Sequence, residues 1–302
     1  MRTFVADAVS DVVVEHGEGP RWDAGRDELA YVDLEKGVVH RAKLREGFLE
    51  EIGTFAADRP VGAANPIAGN SSSWILAAGT SFARATLEAD GQVSIRYVAG
   101  PDAGREDQVR MNEAVCDPAG RLVVGTMAYD ESRDAGRVLT LDLDGSVREI
   151  IPTATIANGT AWSADGTTMY WADSGAGTVT AFSYDTERGT LGAPRPLVQR
   201  RPDEGVADGI AIDDEGCLWL ALYGGRAVDR VSPDGEHLAS VEVPVDHVTA
   251  VAFAGTTLLV TTSRRGLDPS TLAGQPAAGR VFAVDVAVSG PPAAAFRGVL
   301  PD

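Results

Sequence analysis

The chain has 302 residues, a hydrophobic share of 44%, a net charge of -18 and a pI near 4.6. An acidic field of that size argues against nucleic acid or an anionic membrane surface as partner, and no Lys/Arg cluster overrides it. No apolar run approaches bilayer-spanning length, the opening MRTFVADAVS lacks the pattern of a secretory signal, and two cysteines, Cys116 and Cys217, make no disulfide framework. Buried free thiols in a soluble, cytoplasmic protein are therefore expected.

Taken in order, residues 12–15 (VVVE) read as a strand leading to Glu18, and strands follow at 29–33, 38–42 and 49–55. Residues 56–65 read as a loop from their Pro and Gly content, before strands at 74–78 and 82–87. The polar stretch 99–108 is a long connection delivering Arg110 and Asn112. A hairpin, a strand at 136–142 and a turn at 143–145 come next, and then a block of strands from Asn158 to Tyr184. The charged loop 200–206 leads into Asp208, and Gly224-Gly225-Arg226 and residues 232–235 (SPDG) are turns. Residues 264–278 lack strand character apart from one helical turn after Asp268-Pro269, and 280–286 is a late strand placed to pair with the N-terminus. Nothing marks a second domain, so a single domain over 1–302 is expected.

One pattern recurs along this path: a polar residue, an apolar residue four positions on, a Gly/Asp turn and a buried strand. Glu18, Asn112, Asn158 and Asp208 hold its polar position, Thr249 a weaker fifth, and a degenerate copy lies at 66–79. Self-similarity at roughly 40 to 50 residues in an all-β sequence marks a propeller, here of about six blades. Equivalent positions then lie on a ring, so Glu18, Asn112, Asn158 and Asp208 should converge as oxygen ligands for a hard divalent cation. Asn or Asp before Gly also makes plain turns, and on the residues alone that alternative stays open. No GxSxG elbow and no strand-helix GxGxxG is present, and His16, His40, His237 and His247 have no paired metal-ligand spacing. His16 reads as structural. Metal-assisted hydrolysis is the chemistry that remains.

GEGPRWD at 17–23, RMNEAVCDPAGRLVVGTM at 110–127, NGTAWSADGTTMYWADS at 158–174, the run from DGIAIDD at 208 to SPDG at 235, and SRRGLDPSTLAGQPAAGRVF at 263–282 together resemble the regucalcin/gluconolactonase family over nearly the whole chain. The resemblance implies an all-β, six-bladed β-propeller with a central metal site. One divalent ion (Ca, Zn, Mn or Mg) would be held by Glu18, Asn158 and Asp208, and a small-molecule sugar lactone would be hydrolysed with Asp208 as general base. It further implies substrate contacts at Arg110, Asn112 and Asp130. The chain departs from the family pattern at Asp130, often Glu, and at Glu113-Ala114, commonly Asp-Gly. Protein partners are not indicated. The alternatives are a related propeller hydrolase acting on another ester or an organophosphate, a non-enzymatic divalent-cation-binding protein, or a propeller serving as an interaction platform.

Overall fold

Short apolar runs punctuated by Gly/Asp turns make most of the chain strand. The computed structural model describes residues 2–300, Ala99 by its backbone alone. Four antiparallel four-stranded sheets follow one another: from Gly17–Asp23 to Phe48–Ala56, from Val61–Ile67 to Val93–Ala99, from Val109–Cys116 to Val147–Ala154, and from Ala157–Trp162 to Thr190–Gln199.

The remaining strands form one nine-stranded sheet. The expected six-bladed propeller with a central metal site is thus corrected to four blades in a propeller arrangement plus this larger sheet. Two successive repeats are fused through a single residue pair, Tyr223 with His247. The N-terminal residues complete the sheet twice: Arg2–Val5 runs parallel to His237–Glu242, and Asp7–Ala8 pairs antiparallel with Phe282–Asp285, the late strand expected at 280–286. Among the described residues, no group of three or more His, Cys, Asp or Glu side chains could hold a metal.

Two strand assignments change. Residues 12–15 join no ladder: Val14 donates its N–H to Gly279 O, and Glu15 N–H goes to the Asp33 carboxylate. Within 56–65, Val61–Ile67 is an inner strand despite its Gly and Pro. A Cβ at Gly62 would collide with the Asn112 carbonyl, so glycine is what lets this strand approach its neighbour. The helical turn expected after Asp268 is Pro269–Gly274, with Asp268 capping the N–H groups of Ser270 and Thr271.

Apolar side chains fill the spaces between successive sheets. Val32, Phe55, Val61, Trp74 and Leu76 pack the first sheet on the second, and Val251, Phe253, Trp219 and Phe282 lie within the nine-stranded sheet. Cys116 and Cys217 are buried free thiols. After the last strand the chain crosses the end of the ring. Ser289 O accepts from Asp214 N, Ala293 N donates to Trp22 O, Phe296 N to Pro66 O, and Arg297 N to Gly120 O, so residues 289–297 tie the nine-stranded sheet to three others. No helix among the described residues is long and apolar enough to cross a membrane.

Candidate active site

Among the described residues, each of the six inner strands breaks register in its first half. The shifts fall between Glu18 and Arg21, Val61 and Ala63, Met111 and Glu113, Ala157 and Thr160, Ala207 and Ile210, and Val248 and Ala250. A bulge adds an unpaired residue and re-aims its side chain. That is why Asn112, Asn158 and Asp208 leave the ladder and turn into a common cavity, which Glu18, still paired with Val32 at the edge of its bulge, also lines. Gly159 follows one bulge because a Cβ there would strike the Asp208 backbone of the next inner strand. Two aspartates fix where bulged strands start: Asp33 accepts from Glu15 N and His16 N, and Asp173 from Thr155 N and Ile156 N.

The cavity, about 260 Å³, is lined by Glu18, Asn112, Asn158 and Asp208 with Arg110, His16 and Arg265, and by apolar Met127, Ile156 and Val206. Its polar groups form a directed chain. Arg110 Nη1 donates to Asn112 Oδ1 at 2.5 Å, and Asn112 Nδ2 donates to Asn158 Oδ1 at 3.2 Å. Asn158 Nδ2 donates to Ser174 Oγ at 2.9 Å, and Ser174 Oγ to Ala207 O at 2.7 Å. This fixes the Asn158 amide with its carbonyl oxygen toward Asn112.

The carboxyl groups are buried without a strong cationic partner. Asp208 Oδ1 is buried with no hydrogen-bond partner, and among the described residues no cationic side chain pairs with Asp208. Burial, then repulsion from Glu113, pushes Glu18 up to about 8; burial, then Glu18, holds Asp208 well above the usual carboxylate range. Arg110, 3% exposed, has no carboxylate in ion-pairing distance among the described residues, and burial together with Arg265 lowers it. His16 is pushed down to about 3, chiefly by burial and then by Arg110. Tyr223, stacked on His247 with ring centroids 4.1 Å apart, is raised to about 12 by burial and then by Asp208.

Glu18, Asn158, Asp208, Arg110 and Asn112 therefore meet in one cavity, whereas Asp130 does not line it. Asp130 is exposed, accepts from Ser132 N, and leaves its neighbour Glu131, at φ 58°, to face the cavity. At the other departure, Ala114 has no positive φ, and Glu113 is a buried partner of Arg21, whose Nε also donates to Asn65 Oδ1 at 3.0 Å. His16, Glu131, Ser174, Tyr223 and Arg265 were not singled out as site residues from sequence. Ser174, Tyr223 and Arg265 share a signal: all lie at or just beyond the end of the second strand of a hairpin, opposite the start of an inner strand.

The donor set fits a hard divalent cation. Two buried carboxylates repel each other without a cationic partner, one of their oxygens is orphaned, and an oriented amide oxygen stands beside them. It is a mixed set of two charged groups and amides rather than a cage of charged ligands.

Residues 16–264 match the model of the SMP-30/gluconolactonase/LRE-like region. Regucalcin of Oryctolagus cuniculus is 32% identical over 292 residues, covering 93% of this chain and 95% of its own. The structure of regucalcin from Agrobacterium tumefaciens, described as a calcium-binding protein, superposes with a TM-score of 0.88 at 25% identity, covering 98% of each chain. That of a luciferin-regenerating enzyme gives 0.86 at 28% identity, covering 94% of this chain and 96% of its own.

Proposed function

The chain belongs to the SMP-30/gluconolactonase/LRE-like family, and from that premise we propose that it is a metal-dependent hydrolase opening sugar lactones. Family membership supports lactonase chemistry in general; the buried carboxyl groups of Glu18 and Asp208, with Asp208 Oδ1 orphaned, are the observation that carries the metal-dependent version. In this reading Glu18, Asn158 and Asp208 hold one divalent ion, Ca, Zn, Mn or Mg. Such an ion supplies Lewis acidity at the ester carbonyl and lowers the pKa of water.

The chain's own groups do the rest. Asp208, one of whose oxygens has no hydrogen-bond partner, would accept the proton of the attacking water. Arg110, a buried guanidinium with free N–H groups, orients the lactone and meets the negative charge that grows on its oxygens. Asn112, held by Arg110, reads a ring hydroxyl. Glu131 occupies the acidic contact that the sequence suggested for Asp130. Met127, Ile156 and Val206 keep bulk water from the reacting ester.

The test is lactone hydrolysis by chelator-treated protein with Ca, Zn, Mn and Mg restored singly, against five- and six-membered sugar lactones and an organophosphate. Turnover of a sugar lactone restored by one ion is expected, and its loss in Asp208→Asn. A second reading, cation binding without turnover, is favoured by the description of the Agrobacterium relative as a calcium-binding protein. Stoichiometric binding with no hydrolysis of any substrate would select it.

A further inference from the structure

His16 lies at the cavity wall, 5% exposed, and its two ring nitrogens have different surroundings. Nδ1 is 2.7 Å from Ser263 Oγ. That hydroxyl also lies 3.2 Å from Glu15 O, to which it donates, and accepts from Arg265 N at 3.0 Å. A hydroxyl has one proton and two lone pairs, so with its proton directed to Glu15 O it meets Nδ1 as an acceptor. That placement of the hydroxyl proton puts the imidazole hydrogen on Nδ1. Nε2 is left bare on the cavity side, 3.8 Å from Glu18 Oε1 and without a hydrogen bond of its own. At that separation the two atoms make no hydrogen bond to each other, and a hydroxyl placed between them is within reach of both.

We infer that His16 is a further substrate-contacting residue whose bare Nε2 accepts a hydrogen bond from a ring hydroxyl of a polyhydroxylated lactone. Ser263 is the positioning residue that fixes the tautomer. The inference rests on the lactonase reading and narrows it, since a lactone without ring hydroxyls gains nothing from this contact. Arg110 presents donors to the cavity and His16 an acceptor, so between them they select a ligand with both faces of a hydroxyl available. An acceptor-only or apolar ring finds no complement at His16.

Two measurements on the full chain test it. In the first, nitrogen-15 imidazole spectra are recorded at neutral pH, with His16 assigned by its disappearance in His16→Phe. Nδ1 is expected protonated and Nε2 bare, and gluconate is expected to move Nε2 in the direction of an accepted hydrogen bond. Ser263→Ala should mix the tautomers and weaken that response. In the second, hydrolysis of δ-gluconolactone is compared with that of δ-valerolactone, which has no ring hydroxyls. His16→Phe should lower kcat/KM about tenfold more on the first than on the second, with His16→Gln partly restoring activity on the first through its carbonyl oxygen. A protonated Nε2, no response to gluconate, or an equal loss on both lactones overturns the inference. Wild-type turnover of gluconolactone without a His16 response would sink this contact alone. If the wild type hydrolyses no lactone with any ion restored, the lactonase reading fails, and the tautomer and gluconate response still decide the role of His16.

Discussion

Removing divalent ions should turn the site into a pH-dependent liability of predictable sign. Glu18 stands at about 8 in the fold against an ordinary value of 4.5, so the folded state keeps a proton that the unfolded chain has already lost. Stability is then lost as pH rises from the unfolded value through the folded one. The clean window is pH 6.5 to 8.5. Below it, the buried neutral His16 works in the opposite direction, because the unfolded chain binds a proton there that the fold refuses. Carboxyls held low by hydrogen bonds, such as Asp58 at about 2, have delivered their contribution well before pH 6.5.

Between pH 6.5 and about 8 the retained Glu18 proton costs about 1.36 kcal/mol per pH unit, roughly 2 kcal/mol in all, and Asp208 shifts the balance the same way. The assay is thermal unfolding of chelator-treated protein at both pH values, with and without each divalent ion, for wild type and Asp208→Asn. The stripped wild type should melt several degrees lower at pH 8.5, roughly 2 to 4 °C per kcal/mol for a chain of this size class. A binding ion should raise the melting point more at pH 8.5 than at 6.5, and Asp208→Asn should shrink both effects. A stripped protein that gains stability over this window, or an ion effect that ignores pH, would refute the reasoning.

Further outcomes follow from the same geometry. Asp208→Asn should reduce lactone turnover by about a hundredfold or more, measured at saturating ion so that weakened binding is not mistaken for lost basicity. Asp130→Ala should keep kcat/KM within about twofold, as expected of an exposed turn residue, whereas Glu131→Ala should raise KM in steady-state assays. Glu113→Gln leaves the Arg21 guanidinium buried without its carboxylate and should cost about 3 kcal/mol in denaturant titration. Ending the chain after Val288 removes the crossing segment that reaches Trp22, Pro66 and Gly120, and should lower the melting point while leaving the far-UV spectrum strand-rich.

The local half of this architecture was legible in the residues. Gly and Asp at the turns announced the hairpins, and the phase of Glu18, Asn112, Asn158 and Asp208 located the cavity because a bulge falls at or just after that phase. What escaped was non-local. The fusion of two repeats rests on one pairing, Tyr223 with His247, which no local pattern encodes. Val61–Ile67 was hidden because the Gly and Pro that suggest a loop also permit a close approach of strands. Which of two adjacent acids faces the cavity depended on the left-handed backbone of Glu131. The tolerance of Glu113 depended on Arg21, far away in sequence.

The way the chain's two ends are stitched together bears on how it leaves the ribosome. Arg2–Val5 has its partner strand at His237–Glu242, and Asp7–Ala8 has its partner at Phe282–Asp285. At about 5 to 20 residues synthesised per second, the first strands wait on the order of ten seconds to a minute for those partners to emerge. Throughout that interval the nascent polypeptide carries backbone donors and acceptors with nothing to pair with, which is the period in which a chaperone has most to offer it. Translation speed up to the codons for Phe282–Asp285 is therefore a variable that should affect the soluble yield of this protein, even when the encoded sequence is untouched.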